Sequence, residues 1–316
     1  MDRGERLDRL GPDWPHRERS ELVPAADMRF HVQRFGERGP RVLLLHGTGA
    51  STHSFRQLAP LLGASARVLA CDLPGHGASE TPRGDGLSMA GMARRVAALC
   101  DRVDFAPDVI VGHSAGVAIA IEASTERLLR PRLIVGINAA LQPMQGYALF
   151  SPLAKFLVLN PLVPSLFAAS ARRERTVRRL LDGTGSKLDA EGLDYYARLF
   201  RRTDHVHGAL GMMAGWDLEG LRKRMPGLRS RLVLIVAEDD GTVPARDADA
   251  HVARVRDGAL MRVPRGGHLV HETNAPKVAL LVQRAMDEAG LHGAGRDGTT
   301  SAMDETEGSP PPTELT

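Results

Sequence analysis

VIVGHSAGVAI, residues 109–119, sets a polar serine between a β-branched run and a helix-like run of very small residues, with glycine two places before it and two places after. Two readings compete. In one, a sharp strand-to-helix turn lifts Ser114 out of a sheet as a nucleophile. In the other, a loop of small residues happens to contain a serine. The sequence on either side has to decide.

Short aliphatic runs of strand length recur at residues 42–45, 68–70, 133–137, 232–237 and 260–263, the last interrupted by Arg262. Between them lie helix-like stretches at 55–62 and 89–103, the second with Met92, Val96, Leu99 and Val103 on one face. Strands apolar on both faces and alternating with helices predict an α/β domain with a mostly parallel sheet covered on both sides. From about residue 140 to 226 the rhythm changes to helical patches rich in Leu, Met, Phe and Arg, the mark of a helical insertion. The expected organisation is an N-terminal arm (1–20), a first core segment (21–142), the insertion (143–226), a second core segment (227–290) and a disordered acidic tail (291–316).

In this setting the elbow reading of Ser114 gains weight, because the motif follows a strand and opens a helix. A serine hydroxyl needs a base to take its proton. GGHLVHE at 266–272 offers His268, on a glycine loop after the last strand, and His271, at the start of the final helix, where packing is the more usual role. His268 is preferred. The acid that orients such a base is sought in EDDGTVP at 238–244, with Asp240 at the loop tip preferred, Asp239 as alternative and Glu238 assigned to local turn hydrogen bonds. Oxyanion donors are expected from the backbone N–H groups of Ala115 and of Thr48 in HGTGAS, with Gly49 as an alternative, while His46 pins that loop. Contacts to substrate are expected from Gly49, His113, Phe150, Met212, Met213 and Trp216.

Other chemistries are disfavoured. The HGTGAST loop lacks the third glycine of the dinucleotide fingerprint, and GTGSK at 183–187 lacks Walker spacing. His76 in DLPGHGAS has no cysteine or carboxylate companion at metal-ligand spacing, so neither metal nor cofactor is expected, and Asp72, Gly75 and Gly77 are assigned to turn architecture. A net charge of +3, with no short basic block, gives no nucleic-acid groove. Two cysteines in 316 residues suit a reducing compartment. The charged N-terminus lacks a signal-peptide run, and the most apolar stretch, 147–169, is broken by Lys155, Asn160 and prolines. A cytoplasmic protein without a transmembrane segment is expected.

HGTGAS, DLPGHGAS, GHSAG, EDDGTVP and GGHLVHE, in this order, resemble the α/β-hydrolase superfamily over residues 28–290. The resemblance implies a Ser114–Asp240–His268 triad, a helical cap over the pocket, and acyl chemistry, since serine stands where related dehalogenases and epoxide hydrolases carry aspartate. DWPHRERS (13–20), HGTGASTHSFR (46–56), FSPLAKFLVLNPLVP (150–164), GTGSKLD (183–189) and GMMAGWDLEGL (211–221) further resemble the magnesium-chelatase accessory proteins of bacteriochlorophyll biosynthesis. That narrower resemblance implies a lipophilic ester or a tetrapyrrole as ligand, magnesium-chelatase subunits as partners, and a place beside photosynthetic membranes. The arginines of 172–179 suit the carboxylates of such a ligand or form a solvated helix face.

Overall fold

The structure is a computed structural model that describes residues 3–142, 160 and 162–292. Its centre is one eight-stranded sheet in the order β1-β2-β4-β3-β5-β6-β7-β8. The first four strands are β1 (Ser20–Ala25), β2 (Met28–Phe35), β3 (Arg41–Leu45) and β4 (Arg67–Cys71). The others are β5 (Val109–His113), β6 (Leu133–Ile137), β7 (Arg231–Ala237) and β8 (Gly258–Val263). From β4 through β8 every neighbour is parallel, while β1 and β2 add an antiparallel edge.

The parallel strands read as unbroken apolar runs because both of their faces are covered. Along β3, Leu43 and Leu45 enter one apolar cluster and Val42 and Leu44 the other. Ahead of β2, a short α1 spans Arg3–Asp8; α2 spans Leu58–Gly63, α3 Met89–Arg102 and α4 Ala115–Thr125. Helix α3 is started by Ser88, whose hydroxyl accepts the Gly91 N–H, and it buries Met92, Val96 and Leu99 beside α4. Helix α2 packs on the opposite face against the C-terminal helix, Ala275–Glu288.

The β1–β2 hairpin is absent from the expected strands. Polar residues at Arg29, His31, Gln33 and Arg34 interrupt its apolar pattern. His31 is nonetheless fully buried, because its Nδ1 meets Asp72 Oδ2 at 2.7 Å. Asp72 also accepts the Thr52 and Ala78 N–H groups at 2.7 and 2.8 Å, tying the turn that DLPGHGAS makes. Burial alone would raise its carboxyl pKa; His31, His46 and the Thr52 N–H outweigh that and hold it well below the usual range.

Between β6 and β7 the described residues are helical: α5 (Leu162–Ser170), α6 (Glu174–Asp182), α7 (Ala190–Phe200), α8 (Thr203–Ala214) and α9 (Leu218–Arg224). The arm is fastened to this insertion. Leu10 and Trp14 are buried with Tyr195 and Leu199 of α7, and Arg198 donates to both carboxylate oxygens of Asp13 at 2.6 Å. Beneath α7, Arg56 joins Glu272 to Asp189, and Tyr196 donates to Glu272 at 2.8 Å. The sheet is completed by α10 (Asp247–Val252), α11 (Val270–Thr273) and α12 (Ala275–Glu288). Of the expected tail (291–316), Leu291 is instead buried in the apolar cluster on the α2 side of the sheet, and the residues beyond 292 lie outside the described residues. Among the described residues no helix is long and apolar enough to cross a membrane.

Candidate active site

Ser114 sits between the end of β5 and the first residue of α4, with φ 50° and ψ −112°. A non-glycine residue at positive φ costs roughly 1–3 kcal/mol and persists only where its surroundings fix it. Here they do: the Ser114 N–H donates to the Ile137 carbonyl at 2.9 Å, and its own carbonyl accepts from Val117 and Ala140. The flanking glycines are required by close approach. A Cβ on Gly116 would lie 2.1 Å from the Leu45 carbonyl oxygen, and one on Gly112 2.6 Å from the Val117 nitrogen. Ser114 is 8% exposed.

His268 comes from the loop after β8 and Asp240 from the loop after β7. Its Nδ1 meets Asp240 Oδ2 at 2.8 Å, and Asp240 Oδ1 accepts the N–H groups of Thr242 and Val243 at 2.7 and 2.9 Å. An acceptor on Nδ1 leaves Nε2 free to take a proton, the tautomer a serine base needs. Asp239 instead accepts from Gly267 and Gly266 N–H at 2.8 and 3.1 Å, so it fixes the base loop and does not touch the imidazole. Glu238 departs from the expected local turn bonds and pairs with Arg262 at 2.8 Å. The helix that follows the acid loop begins at Asp247. His271 is fully buried against His113 and Phe55 with neither ring nitrogen hydrogen-bonded. Burial first, then the His268 and Arg56 charges, push its pKa down to about 3. No hydrogen bond joins Ser114 Oγ to His268 among the described residues.

The base loop has further anchors that no motif announces. The His268 carbonyl accepts from His113 Nε2 and from Asn138 Nδ2, both at 2.9 Å, and Asn138 Oδ1 accepts the Ala237 N–H at 2.8 Å. Asn138 directly follows β6 and is itself at φ 45°. These donors correct the expectation that His113 contacts substrate. It is 2% exposed, and burial pushes its pKa well below the ordinary value, so it braces the base loop from below.

The HGTG loop passes directly against the elbow: a Cβ on Gly47 would lie 3.1 Å from Ser114 Cβ. Ala115 opens α4, where the first N–H groups have no intrahelical acceptor. Thr48 lies in the turn closed by the Ala50 N–H on the Gly47 carbonyl. His46 pins the loop, its Nδ1 on the Gly47 carbonyl and its Nε2 accepting the Leu73 N–H, each at 2.8 Å. From the insertion, His205 Nδ1 accepts the Gly77 N–H and Nε2 donates to the Gly49 carbonyl, both at 3.0 Å. Met212 approaches Thr48, whose hydroxyl lies 3.6 Å from the sulfur.

Of the remaining expected contacts, Met212 is buried in the core cluster and Trp216 packs half-buried against that cluster. Met213 is half-buried, and Phe150 lies outside the described residues. Arg172, Arg173, Arg175, Arg178 and Arg179 are exposed, with Arg178 bonded to Glu174, and so form a solvated face around α6. Among the described residues no group of three or more His, Cys, Asp or Glu side chains is placed to hold a metal ion.

The family model described as the alpha/beta hydrolase family matches residues 42–280. The magnesium-chelatase 30 kDa subunit of Rhodobacter capsulatus is 38% identical over 269 residues, 84% of this chain and 94% of that one. Among solved structures, an alpha/beta hydrolase fold protein from Burkholderia ambifaria superposes with a TM-score of 0.70 at 23% identity, covering 84% of this chain and 98% of that one. A thermophilic esterase from Thermogutta terrifontis gives 0.67 at 19% identity, covering 85% and 98%. With a strained serine at the strand-to-helix elbow, and with similarity running through both core segments, the chain belongs to the α/β-hydrolase family.

Proposed function

We propose that the protein is a serine hydrolase for a lipophilic carboxylic ester, with Ser114 as nucleophile, His268 as base and Asp240 as its orienting acid. The observation that carries this reading is the 2.8 Å bond from His268 Nδ1 to a buried Asp240 carboxylate, in a loop held against the residue preceding the elbow. Substrate binding closes the hydroxyl–imidazole link, which is often long in an unliganded site. Ser114 Oγ attacks the carbonyl carbon and its proton passes to His268 Nε2. The oxyanion takes hydrogen bonds from the Ala115 and Thr48 N–H groups, each such donor being worth about 10²–10³ in rate. Collapse breaks the ester C–O bond and the alcohol leaves with the proton from His268. Water, deprotonated by the same imidazole, then hydrolyses the acyl-serine. The insertion acts as a cap that selects the substrate.

A fluorophosphonate probe tests this directly. Labelling of the wild-type chain, absent in Ser114→Ala and His268→Ala but retained in His271→Leu, is the expected outcome. An unlabelled wild type that is folded would remove the nucleophile.

A second reading is favoured by the near full-length similarity to a magnesium-chelatase subunit. In it the protein binds a tetrapyrrole or a chelatase subunit without turning over an ester. Retention of chelatase-dependent function by Ser114→Ala would support that reading.

A further inference from the structure

The GTGS turn, residues 183–186, lies in the insertion between α6 and α7, yet it is wedged between the loops that carry Asp240 and His268. The Thr184 carbonyl accepts two N–H groups, from Gly241 at 3.1 Å and from His268 at 3.0 Å. The Ser186 hydroxyl accepts the Leu269 N–H at 2.8 Å and donates to the Gly266 carbonyl at 3.1 Å, so one oxygen bridges both sides of His268. Ser186 is 2% exposed. The fit is tight. A Cβ on Gly267 would lie 2.4 Å from the Gly185 carbonyl carbon, and one on Gly185, itself at φ +79°, would lie 2.6 Å from the Asp239 carbonyl oxygen.

We propose that Ser186 is a positioning residue, and that the turn carrying it keeps the acid loop and the base loop in register for the Asp240–His268 pair. The proposal rests on the hydrolase reading for its catalytic consequence, but not for its geometry. Helix α12 and the sheet do not supply these four hydrogen bonds; the insertion does. The segment that covers the site thereby also aligns it, and displacement of the turn shifts the imidazole relative to Ser114. Misplacement of a catalytic group by about 1 Å can cost of order 10²-fold in rate.

Two variants test the idea. Ser186→Ala removes the bridging hydroxyl, and Gly185→Ala pushes the turn off the Asp239 carbonyl while keeping the hydroxyl. The readout independent of activity is the far-downfield proton NMR resonance of the His268 Nδ1–H on Asp240. The wild type should show it, and both variants should lose or broaden it while keeping the wild-type far-UV circular dichroism. With p-nitrophenyl butyrate, kcat should fall by of order 10²-fold while KM stays within about twofold. A Ser186→Ala variant that keeps both resonance and kcat, losing only thermal stability, would overturn the proposal, as would a wild-type spectrum without the resonance. If the wild type shows the resonance but takes no fluorophosphonate, the hydrolase reading fails and the resonance alone decides the role of Ser186.

Discussion

Replacing His271 by leucine should make the protein less sensitive to acid, by an amount that the burial of this ring fixes. His271 is fully buried, its ring centroid 4.1 Å from that of His113 and 5.4 Å from that of Phe55, and neither nitrogen has a hydrogen-bond partner. Its pKa falls from an ordinary 6.5 to about 3, mainly through burial and then through the His268 and Arg56 charges. The unfolded chain therefore takes up a proton that the folded chain refuses, and stability is lost as pH falls below about 6.5. Between pH 7 and pH 5 the loss from this one group is about 2 kcal/mol. Leucine removes the titration without breaking a hydrogen bond, so the variant should lose about 2 kcal/mol less than the wild type over the same interval. Urea unfolding followed by the fluorescence of Trp14 and Trp216 at the two pH values measures both losses. Equal losses in the two proteins would refute the argument, because the ring would then be titrating in the folded state as it does in water.

Other perturbations separate the roles of neighbouring groups. Asp240→Asn keeps the shape of the acid loop but no longer supplies a carboxylate to the imidazole, and should lower kcat for p-nitrophenyl esters by about 10⁴-fold. Asp239→Ala, which loses only the Gly266 and Gly267 N–H contacts, should cost far less in the same steady-state assay. Gly116→Ala forces a Cβ to within 2.1 Å of the Leu45 carbonyl oxygen, so soluble expression and a cooperative melt should both be lost.

How much of this was readable in the sequence depended on whether a residue's role is local. Ser114 declares itself as an elbow residue because a strand end, a helix start and two flanking glycines fall within five residues. The parallel strands declare themselves because burial on both faces writes an apolar run. His268 and Asp240 were legible as loop residues in the expected order, although only the structure separates Asp240 from Asp239, since the two carboxylates diverge by one residue onto an imidazole and a pair of backbone N–H groups. His31, Asn138 and Ser186 carried no usable signal, and His113 read as a substrate contact and not as a brace. Each is a buried polar residue whose partner is far away in the chain, 155 residues in the case of His113 and the His268 carbonyl. The β1–β2 hairpin was missed for the same reason: His31 reads as a surface residue until Asp72 is set against it. The insertion was legible as helical, but not which of its side chains face the core, as Met212 illustrates.

The seating of the arm constrains the order in which the chain assembles. Trp14 rests on Tyr195, and Asp13 holds Arg198 across 185 residues of sequence. During synthesis the arm leaves the ribosome before the insertion does, yet the seat of Trp14 and Asp13 is not complete until α7 has emerged and docked. Contacts of such long sequence separation form late, because a large loop must close before they are rewarded. The arm therefore waits while the central strands condense, and its closure is a final step that Trp14, with Trp216 replaced by phenylalanine, can report in real time during refolding.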